Sequence, residues 1–79
     1  APAYPEAARR FDAEGWVDLD FVVDTDGRTR DITVLDSRPG DRFDEAAVEA
    51  VRQQRYEPFE LDGRRYARRL QLRIRFTLD

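Results

Sequence analysis

The sequence predicts one α+β domain with element order α-β-β-α-β. Its three-stranded sheet, antiparallel or mixed, has strand order 2-1-3 and carries two helices on one face. Three observations point there. Two stretches of period-two alternation, residues 16–24 and 29–37, flank an Asp-Gly turn. A longer alternation, residues 66–78, closes the chain. Two helix-like stretches precede the first and the last of these. Apolar residues that recur at every second position leave one sheet face needing cover, and two helices can supply it.

The first helix is expected over residues 5–13. Pro5 suits a first helical turn, Glu6 favours the helix N-terminus, and Gly15 suits the end. Ala7, Ala8 and Phe11 share helical spacing. In the first strand Val17, Leu19, Phe21 and Val23 alternate with Asp18, Asp20 and Val22. Gly27 can take the positive φ of the turn that follows. The second strand puts Ile32 and Val34 on one face, and Thr33 and Leu35 on the other. Pro39-Gly40 marks a loop, and Asp41 is the expected N-cap of a helix over residues 43–55. Phe43, Ala47, Ala50, Val51 and Gln54 define its apolar face. Glu57 before Pro58 is forced extended, and "LDGRR" makes a second turn. The last strand presents Leu70, Leu72, Ile74, Phe76 and Leu78 on one face, and Arg69, Gln71, Arg73, Arg75 and Thr77 on the other.

Charge then orders the sheet. Residues 1–51 hold 13 acidic and 6 basic side chains, a net of −7, and residues 52–79 hold 4 acidic and 8 basic, a net of +4. Asp18 and Asp20 on the outer face of the first strand match Arg69, Arg73 and Arg75 on that of the last. Cross-strand pairs of opposite charge are favourable by about 0.2–1 kcal/mol each. The last strand therefore belongs beside the first, reached by a right-handed crossover through the second helix. It is then an edge.

Composition narrows the chemistry. The 79 residues contain no Cys, His, Met or Lys, so all fourteen basic residues are Arg. Without Cys and His, disulfides, structural zinc and Ser–His or Cys–His catalysis have no residues to build on. A binding role is expected rather than an enzyme, and no cofactor or metal. A net charge of −3 opposes general nucleic-acid affinity. No apolar run approaches the roughly 20 residues of a membrane span. "DTDG" is similar to part of a calcium loop. The first ligand position would be Val22 and the last Thr33, so a hairpin turn explains it better. Asp18 and Asp20 stand about 7 Å apart along a strand. Arginine neighbours make them a charged face rather than an acid–base pair. Phe76 faces the core, not the arginines, so the Arg row has no base-stacking platform. The apolar face of the same strand is needed for the core, which excludes a membrane surface.

What remains is the backbone of the last strand. A long free edge offers unpaired N–H and C=O groups, and no proline interrupts residues 64–79. Two uses are open. An extended peptide can add itself as a further strand, or a second copy of the chain can pair through the same edge into a homodimer.

The ordered set "YPEAAR" (4–9), "EGWVDLDFVVDTDG" (14–27), "ITVLDSRPGDRFDEAAVEAV" (32–51) and "RYEP" (55–58), with the closing alternating strand, resembles the C-terminal domain of TonB-type energy transducers. The resemblance covers essentially the whole chain. It implies that Tyr4 and Pro5 open the domain near a partner peptide. It also implies that Glu14-Gly15 turns the first helix into the first strand. Gln53 and Gln54 stand where the family often has an aromatic, and only Ala1, Pro2 and Ala3 precede Tyr4. The implied function is non-enzymatic. A periplasmic domain of an inner-membrane-anchored protein in a Gram-negative bacterium captures the Ton box of outer-membrane transporters. It passes on force from a proton-driven inner-membrane motor complex for substrate import. Residues 1–79 are then a single domain excised from a chain with an anchor and a proline-rich spacer. The expected site is Tyr4 and Pro5 together with Arg68, Arg69, Leu70, Gln71, Leu72, Arg73, Ile74 and Arg75. The same fold in another setting implies self-association, or binding to cell wall or to a periplasmic protein.

Overall fold

A computed structural model describes residues 14–77. Three strands form the main sheet: β1 (Gly15–Val23), β2 (Thr29–Arg38) and β5 (Arg68–Phe76), in the order β2-β1-β5. One helix, α1 (Asp44–Gln53), and a small two-stranded sheet of β3 (Phe59–Leu61) and β4 (Arg64–Tyr66) complete the described residues. The order 2-1-3 and the α+β class hold. Both β2 and β5 run antiparallel to β1. They are therefore parallel to each other, which a hairpin cannot join, and the chain crosses between them through α1. The helix expected over residues 5–13 lies outside the described residues.

β1 is hydrophobic on alternate positions because only one face of the sheet is covered by the helix. Val17, Leu19, Phe21 and Val23 point inward and are buried, together with Phe43, Ala47 and Val51 from the helix region and Phe76 from β5. No polar or charged side chain is fully buried among the described residues. The helix packs over β2 and β1. On β5, Leu70, Leu72 and Ile74 face the same core and are half-buried. Val22 is buried on the opposite, outer face, between its register partners Arg30 and Arg69. Long arginine stems can cover such a side chain while their heads stay in water.

The helix differs from expectation at both ends. Asp41 makes no cap. The N-cap is Phe43, without a side-chain hydrogen bond, and residues 39–43 form turns ahead of it. The Phe43 ring is what fixes the position. It is fully buried and stacks on Phe76 with centroids 4.6 Å apart. At the other end Gln54 is exposed and extended, with ψ 135°, so it leaves the apolar face. The chain is then pinned by Tyr56. Its N–H donates to the Gly27 carbonyl at 3.0 Å, and its ring lies 5.3 Å from that of Phe21. Gly27 has φ 85°, and a Cβ there would meet the Tyr56 carbonyl. The turn of the first hairpin and the exit of the helix thus close on each other.

The long closing alternation is broken once. Tyr66 belongs to β4, Ala67 intervenes, and β5 starts at Arg68 and ends at Phe76. The "LDGRR" turn is the tip of a hairpin, with Leu61 opposite Arg64. Asp62 and Gly63 both take positive φ, 52° and 78°. That is the requirement of the two-residue turn that suits strand twist.

Candidate functional site

A sheet of three strands has two outer edges, and here they differ. β2 is irregular. Its register against β1 shifts between Asp18 and Leu19, and again between Asp20 and Val22. The first shift leaves Leu35 unmatched and 49% exposed. The second accompanies Asp31, a non-glycine residue at φ 53°. Bulges of this kind bend a strand and spoil its edge for further pairing. β5 carries no such defect. All nine residues from Arg68 to Phe76 are in unbroken register with β1, from Val23 back to Gly15. Among the described residues β5 pairs with nothing else.

In an antiparallel pair, successive residues turn their backbone groups alternately toward the neighbour and away from it. About half the N–H and C=O groups of β5 therefore point out from the sheet in a row. Their spacing suits an added strand roughly 4.8 Å away.

The side chains hold this edge in place. Arg73 clamps Asp18 in a two-pronged contact: Nε donates to Oδ1 at 2.6 Å and Nη2 to Oδ2 at 2.9 Å. Arg69 brings Nη1 to 3.2 Å from Oδ1 of Asp20, an ion-pair contact without hydrogen-bond alignment. The charge match expected between first and last strand is therefore present at two positions. Gln71 lies opposite Asp20, and Arg75 opposite Trp16. The Arg73 guanidinium also covers the Trp16 ring at 3.8 Å from its centroid, a cation–π contact that further fixes its orientation.

The Asp18 carboxyl is held below its ordinary value of 3.8, first by the hydrogen bond from Arg73. Partial desolvation opposes this, and the charges of Arg73 and Arg75 add to it. A depressed carboxylate stabilises the fold above its unfolded-state value, and the benefit is lost as pH falls through the folded value. The stability advantage of the parent over Arg73→Gln should thus be complete at neutral pH and shrink below pH 3.8. Thermal melts of both proteins across that range check it. The pair is exposed, so the advantage is small and weakens with salt.

Of the residues expected at the site, Arg68 to Arg75 form one continuous edge strand. Leu70, Leu72 and Ile74 serve the core, and Arg69 and Arg73 serve the outer face. Arg68 lies over the Phe59 ring at 4.6 Å. Tyr4 and Pro5 lie outside the described residues. Two features were missed. One is the β3–β4 hairpin, although Asp62-Gly63 is a strong short-range hairpin signal. The other is the pair of bulges in β2, for which the sequence offers only the tolerance of Asp31 for positive φ. Asp24 and Asp26 are engaged within their turn. Asp24 accepts from Arg30, and Asp26 accepts from the Arg28 N–H.

The fold that carries this edge recurs in known proteins. The family described as "Gram-negative bacterial TonB protein C-terminal" matches residues 1–78. Protein TonB of Vibrio cholerae is 35% identical over 78 residues, which is 99% of this chain and 32% of that protein. Protein TonB of Pseudomonas aeruginosa is 35% identical over the same length, 23% of its own. The chain thus spans about a quarter to a third of these relatives. The solution structure of the Pseudomonas aeruginosa TonB C-terminal domain superposes with a TM-score of 0.85 at 34% identity, covering 100% of this chain and 80% of that one. The TonB2 protein of Vibrio anguillarum gives 0.76 at 31% identity, covering 100% and 76%. With family, relatives and fold in agreement along the chain, it belongs to the TonB C-terminal family of Gram-negative bacteria.

Proposed function

We propose that this domain is the peptide-capture end of a TonB-type transducer. The observation that carries the reading is the contrast between the two sheet edges: β2 is bulged twice, and β5 keeps unbroken register with β1 through nine residues. An extended segment of an outer-membrane transporter, the Ton box, pairs with the outward backbone groups of β5. The affinity comes mainly from main-chain hydrogen bonds, so one domain can serve several transporters. The ordering cost of a short peptide keeps that affinity modest. A strand held this way and pulled along its axis loads several hydrogen bonds at once. Proton-motive force can then reach the transporter as mechanical force, with no catalysis by this domain.

The matched relatives are three to four times longer than the chain. We assign to such additional length an inner-membrane anchor that meets the motor complex, and a spacer that carries residues 1–79, as one domain, across the periplasm. Self-pairing through β5 is the competing use of the same edge. A titration decides between them. A nine-residue extended peptide should shift the backbone amides of Arg68–Phe76 more than any others, at protein concentrations where sedimentation gives a monomer. Shifts confined to the β1–β2 turn, or a dimer that the peptide does not dissociate, would remove the reading.

A further inference from the structure

The β3–β4 hairpin stands apart from the core. β4 and the tip are exposed throughout, and Leu61 and Tyr66 are 54% and 41% exposed. Only Ala67 separates β4 from β5, so the hairpin sits at the entry end of the free edge. One group of its side chains is organised. Phe59 and Tyr66 face each other across the hairpin, with centroids 6.4 Å apart. Arg68 lies over Phe59 at 4.6 Å, and Arg64 over Tyr66 at 5.9 Å.

The charges there are only partly answered. Residues 59–76 hold six arginines against Glu60 and Asp62. Arg69 and Arg73 have carboxylate partners, and Arg65 reaches Glu60 only at 3.9 Å. Arg64 and Arg68 have no carboxylate within 4 Å among the described residues; each lies over a ring face. Two guanidinium groups resting on aromatic rings are pre-oriented, and each keeps donors free for an incoming carboxylate.

We propose that this hairpin reads an acidic flank on the peptide that β5 captures, and so sets the direction in which the peptide lies. The inference rests on the capture reading above. The peptide segment just beyond its β5-paired stretch carries Asp or Glu and lies against Arg64 and Arg68, while the paired stretch itself stays unselective. Because the hairpin stands at one end of β5 only, an acidic flank at one terminus of the peptide is read, and the same flank at the other terminus is not.

The test uses three peptides with one nine-residue core of alternating Thr and Val. They are extended by three Asp at the N-terminus, by three Asp at the C-terminus, or by three Ser. Affinity is measured for the parent and for Arg64→Gln/Arg68→Gln, with backbone amide shifts recorded alongside. One Asp-extended peptide, and not the other, should bind the parent about three- to tenfold more tightly than the Ser peptide. The double variant and high salt should both remove that gain, so that the variant binds its Asp-extended and Ser peptides alike. If all three peptides move the β5 amides and the Asp gain is absent, equal at both ends, or intact in the variant, the hairpin proposal falls alone. If none moves those amides, the capture reading falls and takes this proposal with it. Tighter binding of anionic phospholipid vesicles than of either Asp peptide, lost in the same variant, would give the patch to lipid and overturn the proposal.

Discussion

Phe43→Ala should lower the unfolding free energy by about 3–5 kcal/mol, the usual range for truncating a buried aromatic. The ring is fully buried, stacks on Phe76, and closes the helix onto the end of the edge strand. It also lies against Gly15, where an added Cβ would come within 2.6 Å of the Phe43 ring. So tight a site collapses poorly around a cavity. Small domains have about 5–15 kcal/mol to lose, and a chain of this size sits toward the low end. Chemical denaturation should therefore show a marginal fold for Phe43→Ala. Leu61→Ala, on the exposed hairpin, should stay within about 0.5 kcal/mol of the parent. Comparable midpoints for the two variants would contradict the core described above.

The second large effect concerns the edge. Gln71 and Leu72 are neighbours on β5, paired with Asp20 and Leu19. Their N–H groups must point opposite ways, one into the β1 ladder and one out of the sheet. Proline removes the N–H wherever it is placed. Of Gln71→Pro and Leu72→Pro, one should break the ladder and unfold the sheet. The other should keep the fold and lose an outward donor. The folded variant should capture peptide about five- to hundredfold more weakly, the cost of one or more unmade hydrogen bonds at the edge. The ring on the edge adds a steric block. Circular dichroism identifies the folded variant, and a peptide titration gives its affinity. A folded proline variant that binds like the parent would show that main-chain pairing on β5 is not the mode of capture.

Period-two alternation made the main sheet legible, because a half-buried strand cannot hide its pleat. The pairing of Asp18 and Asp20 with Arg73 and Arg69 was legible for the same reason: residues on one outer face must meet across neighbouring strands. The ends of the helix were not. Asp41 is a good N-cap by type, but burial of Phe43 outweighs what a cap contributes, and the helix starts where that ring is seated. Gln54 keeps helical spacing with Val51, yet the chain must turn before Tyr56 to reach Gly27. The contrast between the two edges was hidden too. Bulges in β2 depend on the register across two strands, and no single-strand pattern records them. Alternation from residue 66 ran through Ala67 unmarked, so the hairpin was read as only a turn before one long strand.

The central claim is that the outward backbone groups of β5 are free and are the ones that take the peptide. Amide hydrogen exchange on β5, with and without the nine-residue peptide, tests it most directly. In the free protein, alternate amides from Arg68 to Phe76 should exchange fast while those between them are protected by β1. On adding peptide, the fast set should become protected and the slow set should change little. Uniform protection of β5 in the free protein, or a fast set that stays fast with peptide bound, would contradict the claim.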